Sequence, residues 1–119
     1  MLEQEIWTTM HEQLGPVIWR EYPGYEVSSL GRVRRATPAR GTQAGRVHQP
    51  SRTKDGYLQV LIRHRGRYLC RTVARLVAWA FVPCPRWSPA LVVTYRDGDR
   101  SNCRADNLVW ATRKRPGGF

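Results

Sequence analysis

The feature that most constrains this chain is the strand-like pattern of residues 57–72, in which apolar residues recur at every second position on each side of a short turn. In its first half, Leu58, Val60 and Ile62 share one face of an extended chain, and the residues between them lie on the other face. A short loop that contains a glycine, at residues 64–66, then predicts a tight turn into a second strand. The stretch is therefore the clearest β-hairpin signal in the sequence.

A helix is predicted directly after this hairpin, over residues 73–81. Its apolar positions recur three and four residues apart, which is the spacing of one helix face. Thr72 is a suitable N-cap, and Pro83 and Pro85 end the pattern. We expect this helix to lie in the core.

Two further hairpins are predicted on either side of this unit. Towards the N-terminus, Tyr25, Val27 and Val33 fit two short strands with a polar break between them. Towards the C-terminus, the sequence alternates from Leu91, turns at Asp97-Gly98 and returns in a second apolar strand. The chain is thus rich in short antiparallel pairs.

A second helix is predicted at the N-terminus, over residues 2–14. Gly15-Pro16 ends the pattern, and glutamates near its start suit the helix dipole. This helix either packs on the core or forms an acidic arm that docks a partner. Its apolar positions recur every four residues, at Leu2, Ile6, Met10 and Leu14.

The charge is strongly basic and unevenly placed. The 119 residues hold 20 Lys and Arg against 9 Asp and Glu, a formal net charge of +11. Residues 1–31 hold five acids and only Arg20 as a cation, whereas residues 32–91 hold thirteen cations and only Asp55 as an acid. Such a field attracts polyanions, so nucleic acid is the first partner class and an acidic protein surface the second.

The cysteines and the N-terminal residues indicate the cellular compartment. The three cysteines are odd in number and widely spaced, which argues against a disulfide framework and a thiolate zinc site. The first ten residues carry acids where a signal peptide needs cations, and no apolar run approaches membrane length. We therefore expect a cytoplasmic protein with no membrane contact.

Three motifs, in order, resemble one known family. "YEVSSLGRVRR" resembles the nuclease-associated modular DNA-binding motif that precedes many phage and intron-encoded HNH endonucleases. "DGYLQVLI", "RTVARLVAWAFVP" and "DGDRSNCRADNLVWAT" are similar to the hairpin, helix and terminal motif of the HNH homing-endonuclease-like family. The resemblance implies a ββα-metal-type hairpin and double-stranded DNA as the substrate. If the protein is phage-encoded, as many members of this family are, the expected compartment is the cytoplasm of the host cell.

The patterns and the resemblance together predict an α+β fold of small antiparallel hairpins with a central helix, ending in a truncated ββα-metal-type hairpin. We divide the chain into three segments. They are the N-terminal helix at residues 1–16, the modular DNA-binding motif with a basic loop at residues 17–50, and an HNH-like domain without its terminal helix at residues 51–119.

The resemblance also implies functional residues that this chain lacks. The family places a metal ligand and a general-base histidine just before the Asp-Gly turn, where this chain has Thr94 and Tyr95. A tyrosine, with a pKa of about 10, is protonated near neutral pH and does not replace imidazole as a base. The histidine that often opens the helix is Ala74, and the family's last helix falls at residues 113–119, where Pro-Gly-Gly disfavours a helix. We expect no catalytic residue, no metal and no other cofactor.

Other motif residues are retained, and their expected roles are structural. Asp97 and Gly98 form the turn, the amide of Asn107 ties the loop between the strands, and Trp110 fills the core. Asp97 and Asp99 have oxygen atoms that bind metals, but acids at this spacing beside a glycine are more often turn residues.

Three functions are compatible with this sequence. The first is a catalytically inactive HNH-like protein that binds double-stranded DNA, with His48 and His64 in contact with phosphate or solvent. The second is a phage regulator or inhibitor that binds a host protein such as RNA polymerase or a nuclease. The third is a metal-dependent endonuclease with rearranged ligands, such as Asp97, Asp99 or His64. The predicted DNA contacts are Arg32, Arg34, Arg35, Arg52, Lys54, Arg63, Arg65 and Arg67.

Overall fold

A computed structural model of the protein describes residues 4–37, 45–84 and 86–112. The first sheet has three antiparallel strands in the order β1-β2-β3. Its second and third strands confirm the hairpin predicted around Val27 and Val33, which pair with each other. The strands are β1 (Trp7–Gln13), β2 (Trp19–Ser28) and β3 (Val33–Arg35).

The helix predicted over residues 2–14 is wrong, because β1 occupies this stretch and pairs along its whole length with β2. A spacing of four residues also keeps side chains on one face of a strand, whose period is two, so the apolar pattern does not distinguish the two structures. Met10 is buried, and Glu12 is buried on the same face. The alternative interpretation, an acidic helical arm, is also wrong, because residues 7–13 form a strand of the sheet.

The central hairpin and helix form as predicted. The second sheet comprises β4 (Ser51–Arg52), β5 (Leu58–His64) and β6 (Arg67–Thr72), and β5 and β6 are joined by a two-residue turn. Both turn residues, Arg65 and Gly66, have positive φ, as the twist of a tight hairpin requires. Helix α1 (Val73–Phe81) follows directly; Thr72 is its N-cap, although its side chain makes no capping hydrogen bond.

The last sheet is the predicted C-terminal hairpin. It pairs β7 (Leu91–Tyr95) with β8 (Leu108–Thr112), and a short 3₁₀ turn at Ala105–Asn107 precedes the second strand. The α+β prediction is therefore confirmed. The predicted absence of a terminal helix concerns residues 113–119, and most of the predicted basic loop falls in residues 38–44; both lie outside the described residues.

The core is one cluster centred on α1. Leu76 and Val77 of the helix pack in the same cluster as Met10 of β1, Ile62 of β5 and Leu108 of β8. The three predicted segments thus share a core, and their division stays a prediction. In the described part of the chain, no helix is long and apolar enough to cross a bilayer.

A second, polar contact joins β1 to β2, β6 and α1. The carboxylate of Glu12, which is only 2% exposed, accepts a hydrogen bond from the Tyr22 hydroxyl and one from Arg71 Nε at 3.0 Å. Arg75 Nε lies 4.0 Å from its other oxygen. Since these partners belong to β2, β6 and α1, this carboxylate joins the first sheet to the central hairpin and helix.

The turn between β2 and β3 packs directly on the loop of the last hairpin. The carbonyl oxygen of Ser29 accepts a hydrogen bond from the backbone N–H of Ala105 at 2.9 Å. Gly31 has a φ of +90°, and a Cβ at this position would lie 2.9 Å from the carbonyl oxygen of Cys103. Only glycine meets both conditions, the left-handed backbone and the close approach.

We therefore expect Gly31→Ala to lower the free energy of unfolding by about 3 kcal/mol, from backbone strain plus steric overlap. Gly56→Ala is the matched control, since Gly56 has the same φ of +90° but nothing within 4 Å of the added Cβ. That variant should lose only about 1 kcal/mol in urea denaturation. Equal losses in the two variants would show that the contact with Cys103 does not matter.

Candidate functional site

The last hairpin carries the positions that the resemblance assigns to catalysis. Thr94 is on β7, and its hydroxyl donates a hydrogen bond to the carbonyl oxygen of Val109 at 3.1 Å. Tyr95 is half-buried, with its ring centroid 6.2 Å from that of Tyr57. Burial, reinforced by the nearby Cys103 and Tyr57, raises the pKa of Tyr95 to about 12. The phenol is therefore protonated at neutral pH and does not accept a proton from water.

The two acids of the loop are occupied by hydrogen bonds within it. The Asp97 carboxylate accepts from Asn102 Nδ2 at 2.8 Å, from the Asp99 backbone N–H at 2.8 Å and from Asn107 Nδ2 at 3.0 Å. Asp99 accepts from the backbone N–H of Ser101 at 3.0 Å and from its hydroxyl at 2.6 Å. These bonds, led by Asn102 and Ser101 respectively, lower the pKa of both carboxyls. Both side chains therefore shape the loop.

Asn107 holds the loop together from inside. Its side chain is buried, and its Oδ1 accepts the backbone N–H of Asp97 at 3.1 Å. Its Nδ2 donates to the Asp97 carboxylate and, at 2.9 Å, to the carbonyl oxygen of Asn102. One amide thus fixes both ends of the loop. Trp110, further along β8, packs on Trp79 with ring centroids 4.4 Å apart.

The described residues do not fit the divalent metal that the resemblance implies. Within residues 4–37, 45–84 and 86–112, no three His, Cys, Asp or Glu side chains converge on one point. The hydroxyl of Thr94 is directed to a backbone carbonyl, and the carboxylates of Asp97 and Asp99 serve the loop. We accordingly derive no chemical step through a metal.

The two histidines named in the sequence analysis lie elsewhere in the fold. His64 packs edge-on against Tyr22, with centroids 5.2 Å apart, and burial together with Arg20 and Arg65 lowers its pKa. His48 packs against the Tyr25 ring at 5.5 Å, and burial followed by two arginines lowers its pKa as well. Both imidazoles are therefore neutral at pH 7.

An open groove of about 1230 Å³ lies between β2 and the β5–β6 hairpin. The backbone N–H of Arg63 donates to the Tyr25 hydroxyl at 2.8 Å and so holds the hairpin against β2. Arg35 is stacked on the same ring, with its guanidinium carbon 4.6 Å from the centroid. We call this site the arginine groove. The arginines that line it are Arg20, Arg35, Arg63, Arg65 and Arg67.

The arginine groove brings together four of the eight predicted DNA contacts, namely Arg35, Arg63, Arg65 and Arg67. Sequence reasoning missed the fifth lining arginine, Arg20. It is the single cation of an acidic segment, so the charge pattern contained no signal for it. Its position depends on the pairing of β2 with β1, where the sequence had predicted a helix.

Two of the other four predicted contacts are paired within the protein. Arg32 makes a two-pronged ion pair with Glu5, in which Nε lies 2.8 Å from Oε2. The hydrogen bonds from Arg32, opposed by partial burial, lower the pKa of Glu5 to about 2. Arg34 pairs with Glu26 at 2.9 Å and stacks on the Trp7 ring at 3.9 Å. Both cations are thus largely neutralised in the free protein.

The remaining two, Arg52 and Lys54, are exposed next to the last hairpin rather than in the arginine groove. Arg52 contributes to the lowered pKa of Asp99, after the dominant hydrogen bonds from Ser101. Arg100, in the loop of the last hairpin, donates a hydrogen bond to the carbonyl oxygen of Asp55 at 2.7 Å. The structure therefore divides the eight predicted contacts into a groove set, a paired set and an exposed pair beside the nuclease-like loop.

Comparisons with known proteins agree with this architecture. Residues 17–63 match the NUMOD4 motif, and residues 74–117 match the HNH endonuclease model. DNA endonuclease I-HmuI of Bacillus phage SP01 is 32% identical over an alignment of 100 residues that covers 81% of this chain. A solved structure of DNA binding and cleavage by the HNH homing endonuclease I-HmuI matches with a TM-score of 0.62 at 32% identity, over 76% of this chain. The chain spans about half the length of these relatives, 53% of the curated sequence and 48% of the solved chain.

The hydrogen bonds of Asn107 lead to a stability prediction. Asn107→Ala should lower the free energy of unfolding by about 2 to 3 kcal/mol, because it removes three hydrogen bonds and leaves their partners without the amide. Asn102→Ala is the matched control, since its side-chain amide makes one short bond, to the exposed Asp97 carboxylate, and otherwise only accepts the Arg104 backbone N–H at 3.5 Å. It should cost about 1 kcal/mol or less. Thermal denaturation of both variants checks the order, and a larger loss in Asn102→Ala would contradict it.

Proposed function

We propose that the chain binds double-stranded DNA through the arginine groove and does not cleave the DNA, since residues 74–117 match the HNH endonuclease model, residues 17–63 match the NUMOD4 motif, and I-HmuI is 32% identical. The observation that supports the absence of cleavage is Tyr95, a half-buried, protonated phenol with a pKa of about 12 at the position where the resemblance expects the general base. The arginine groove supports the binding of DNA.

The case against cleavage rests on three neighbouring side chains. A hydrolytic nuclease needs a base for water and a Lewis acid at the scissile phosphate. Tyr95 is unsuited to the first task, and Thr94 has a hydroxyl already donated to Val109. Asp97 is the nearest retained carboxylate, and three donors within the loop occupy it.

The case for DNA binding rests on charge and geometry. The arginine groove has five arginines and one acid, Glu21, among its described lining residues. Guanidinium groups fork onto phosphate and onto guanine edges, and a net charge of +11 draws DNA to the surface. Arg63, Arg65 and Arg67 surround the tip of the β5–β6 hairpin, so one element presents three cations.

Arg32 and Arg34 have a smaller part in this proposal than the groove set. Each already has a carboxylate partner, Glu5 or Glu26, whose negative charge opposes a phosphate at the same guanidinium. A phosphate that replaces this partner exchanges one ion pair for another, so the net gain in free energy is small. Among the described residues, no ion pair joins an arginine of the groove to an acid.

Removal of the three hairpin arginines tests the DNA-binding surface. With Arg63, Arg65 and Arg67 all changed to Gln, the slope of log affinity against log salt should fall by about 3, one for each phosphate that is no longer neutralised. The wild-type protein should bind roughly a thousandfold more weakly at about 200 mM salt than at about 50 mM. Fluorescence anisotropy with a labelled duplex measures both quantities.

The matched control changes Arg32 and Arg34 to Gln, since both are already ion-paired. This variant should alter the salt slope by less than about 1. A control variant that abolishes binding while the hairpin variant binds normally would place the DNA on another face. A shallow salt slope in the wild type would reject phosphate binding altogether.

The absence of cleavage is tested with supercoiled plasmid in Mg²⁺ or Mn²⁺. The protein should leave the plasmid intact, and so should Tyr95→His, because Thr94 and Asp97 still provide no free ligand set. A cleaving HNH endonuclease under the same conditions is the positive control. Metal-dependent nicking by the wild type that disappears in Asp97→Ala would overturn the proposal and restore the nuclease interpretation.

A further inference from the structure

The turn between β1 and β2 exposes an unusual amount of apolar surface. Leu14 is 38% exposed, Val17 86%, Ile18 56% and Trp19 53%. Single exposed apolar residues are common in proteins, but a contiguous apolar patch on a monomer marks a contact surface. We call residues 14–19 the apolar tip.

Hydrogen bonds from the buried side chain of Gln13 and from the backbone fix the apolar tip. Gln13 is buried, and its Nε2 donates to the carbonyl oxygens of Gly15 at 2.9 Å and Pro16 at 3.1 Å. The backbone N–H of Leu14 donates to the carbonyl oxygen of Ile18 at 2.8 Å. The turn is therefore fixed by side-chain and backbone bonds, and little conformational entropy remains to be lost on binding.

Trp19 is fixed as well, although half of its surface is exposed. Its ring stands edge-on to Trp79 with centroids 6.0 Å apart, and His11 lies 5.5 Å away on the other strand. The apolar tip thus has a firm aromatic base on the core.

The apolar tip and the arginine groove are continuous. Leu14, Ile18 and Trp19 line the same groove as its five arginines. A partner that suits both parts has to combine dense negative charge with flat apolar surfaces. Duplex DNA has this combination, since its phosphates flank stacked bases, and the excess of arginine over acid in the groove favours it over an apolar protein face.

We propose that the apolar tip is a wedge that enters the duplex and unstacks one base step, with Val17 and Ile18 as the inserted side chains. The inference rests on the proposed DNA binding and adds a deformation of the bound DNA. Apolar side chains inserted at a step kink the helix, and the kink brings more of the backbone against the protein. The arginine groove, at the base of the wedge, holds the phosphates on the flank of the kinked step.

The test measures unstacking directly. Duplexes of roughly 30 base pairs carry 2-aminopurine in place of adenine at one TA or CA step each, since these steps unstack most easily. With the wild-type protein, the fluorescence of the probe should rise severalfold in at least one duplex. In the double variant with Val17→Ser and Ile18→Ser the rise should disappear and the affinity should fall by roughly tenfold, with an unchanged salt slope because no cation is removed.

Leu61→Ser is the matched control, because Leu61 is 56% exposed, as Ile18 is, but lies within a strand. It should keep the fluorescence rise. Circular dichroism shows whether the double variant folds. If it does not, Val17→Ser alone replaces it in the test, because Val17 has the most exposed side chain of the apolar tip. The single variant should still reduce the rise.

The outcomes separate the wedge from the proposed function. If the wild type binds with a steep salt slope but no duplex shows a rise, the wedge is wrong and DNA binding stands. If the wild type binds no duplex, the proposed function fails and the wedge fails with it. The wild type could instead be a dimer, and the double variant with Val17→Ser and Ile18→Ser a monomer. In that case the apolar tip is an interface between copies of this chain, and the wedge is overturned.

Discussion

The buried carboxylate of Glu12 is the interaction on which the rest of the structure depends. A carboxylate that is 2% exposed is tolerated only when its oxygens are paired and hydrogen-bonded. Its partners are the hydroxyl of Tyr22 and the guanidinium groups of Arg71 and Arg75, which belong to three other elements. The first sheet is thereby set against the central hairpin and helix at one position. Since the arginine groove lies between β2 and the β5–β6 hairpin, its shape follows from this pairing.

The two halves of the molecule differ in how they use polar groups. In the last hairpin, Asp97 and Asn107 satisfy each other and the loop backbone, so an HNH-like loop is kept as structure. In the arginine groove, the guanidinium groups of Arg35 and Arg63 lie over aromatic rings, and Arg35 also donates to Thr37. A guanidinium has five N–H donors, so each of them still has donors to offer a phosphate. The last hairpin thus uses its polar groups to hold its own loop, whereas the arginine groove presents cations at the surface.

Sequence patterns predicted single hairpins and the central helix better than they predicted strand pairing and the partners of charged side chains. The hairpin around Val60 and the helix after Thr72 followed from periodicity, because each pattern fits only one kind of structure. The N-terminal helix failed because a spacing of four suits a helix face and a strand face alike, and the pairing with strand β2, which decides between them, is not visible in that spacing. The eight predicted contacts were chosen from charge and from their place in the modular motif and the central hairpin. Neither shows that Arg32 and Arg34 have carboxylate partners or that Arg20 joins the arginine groove.

The sequence by itself determined the hairpins and the central helix, and it has Tyr95 where the resemblance expects a histidine, because these depend on residue identity and on neighbours in the chain. Only the tertiary structure decided which cations are ion-paired, how the apolar tip meets the arginine groove and which three donors hydrogen-bond to Asp97. Glu5 lies 27 residues from Arg32, and Glu12 lies 59 residues from Arg71. Electrostatic pairing depends on distance in space, and no local pattern encodes that distance.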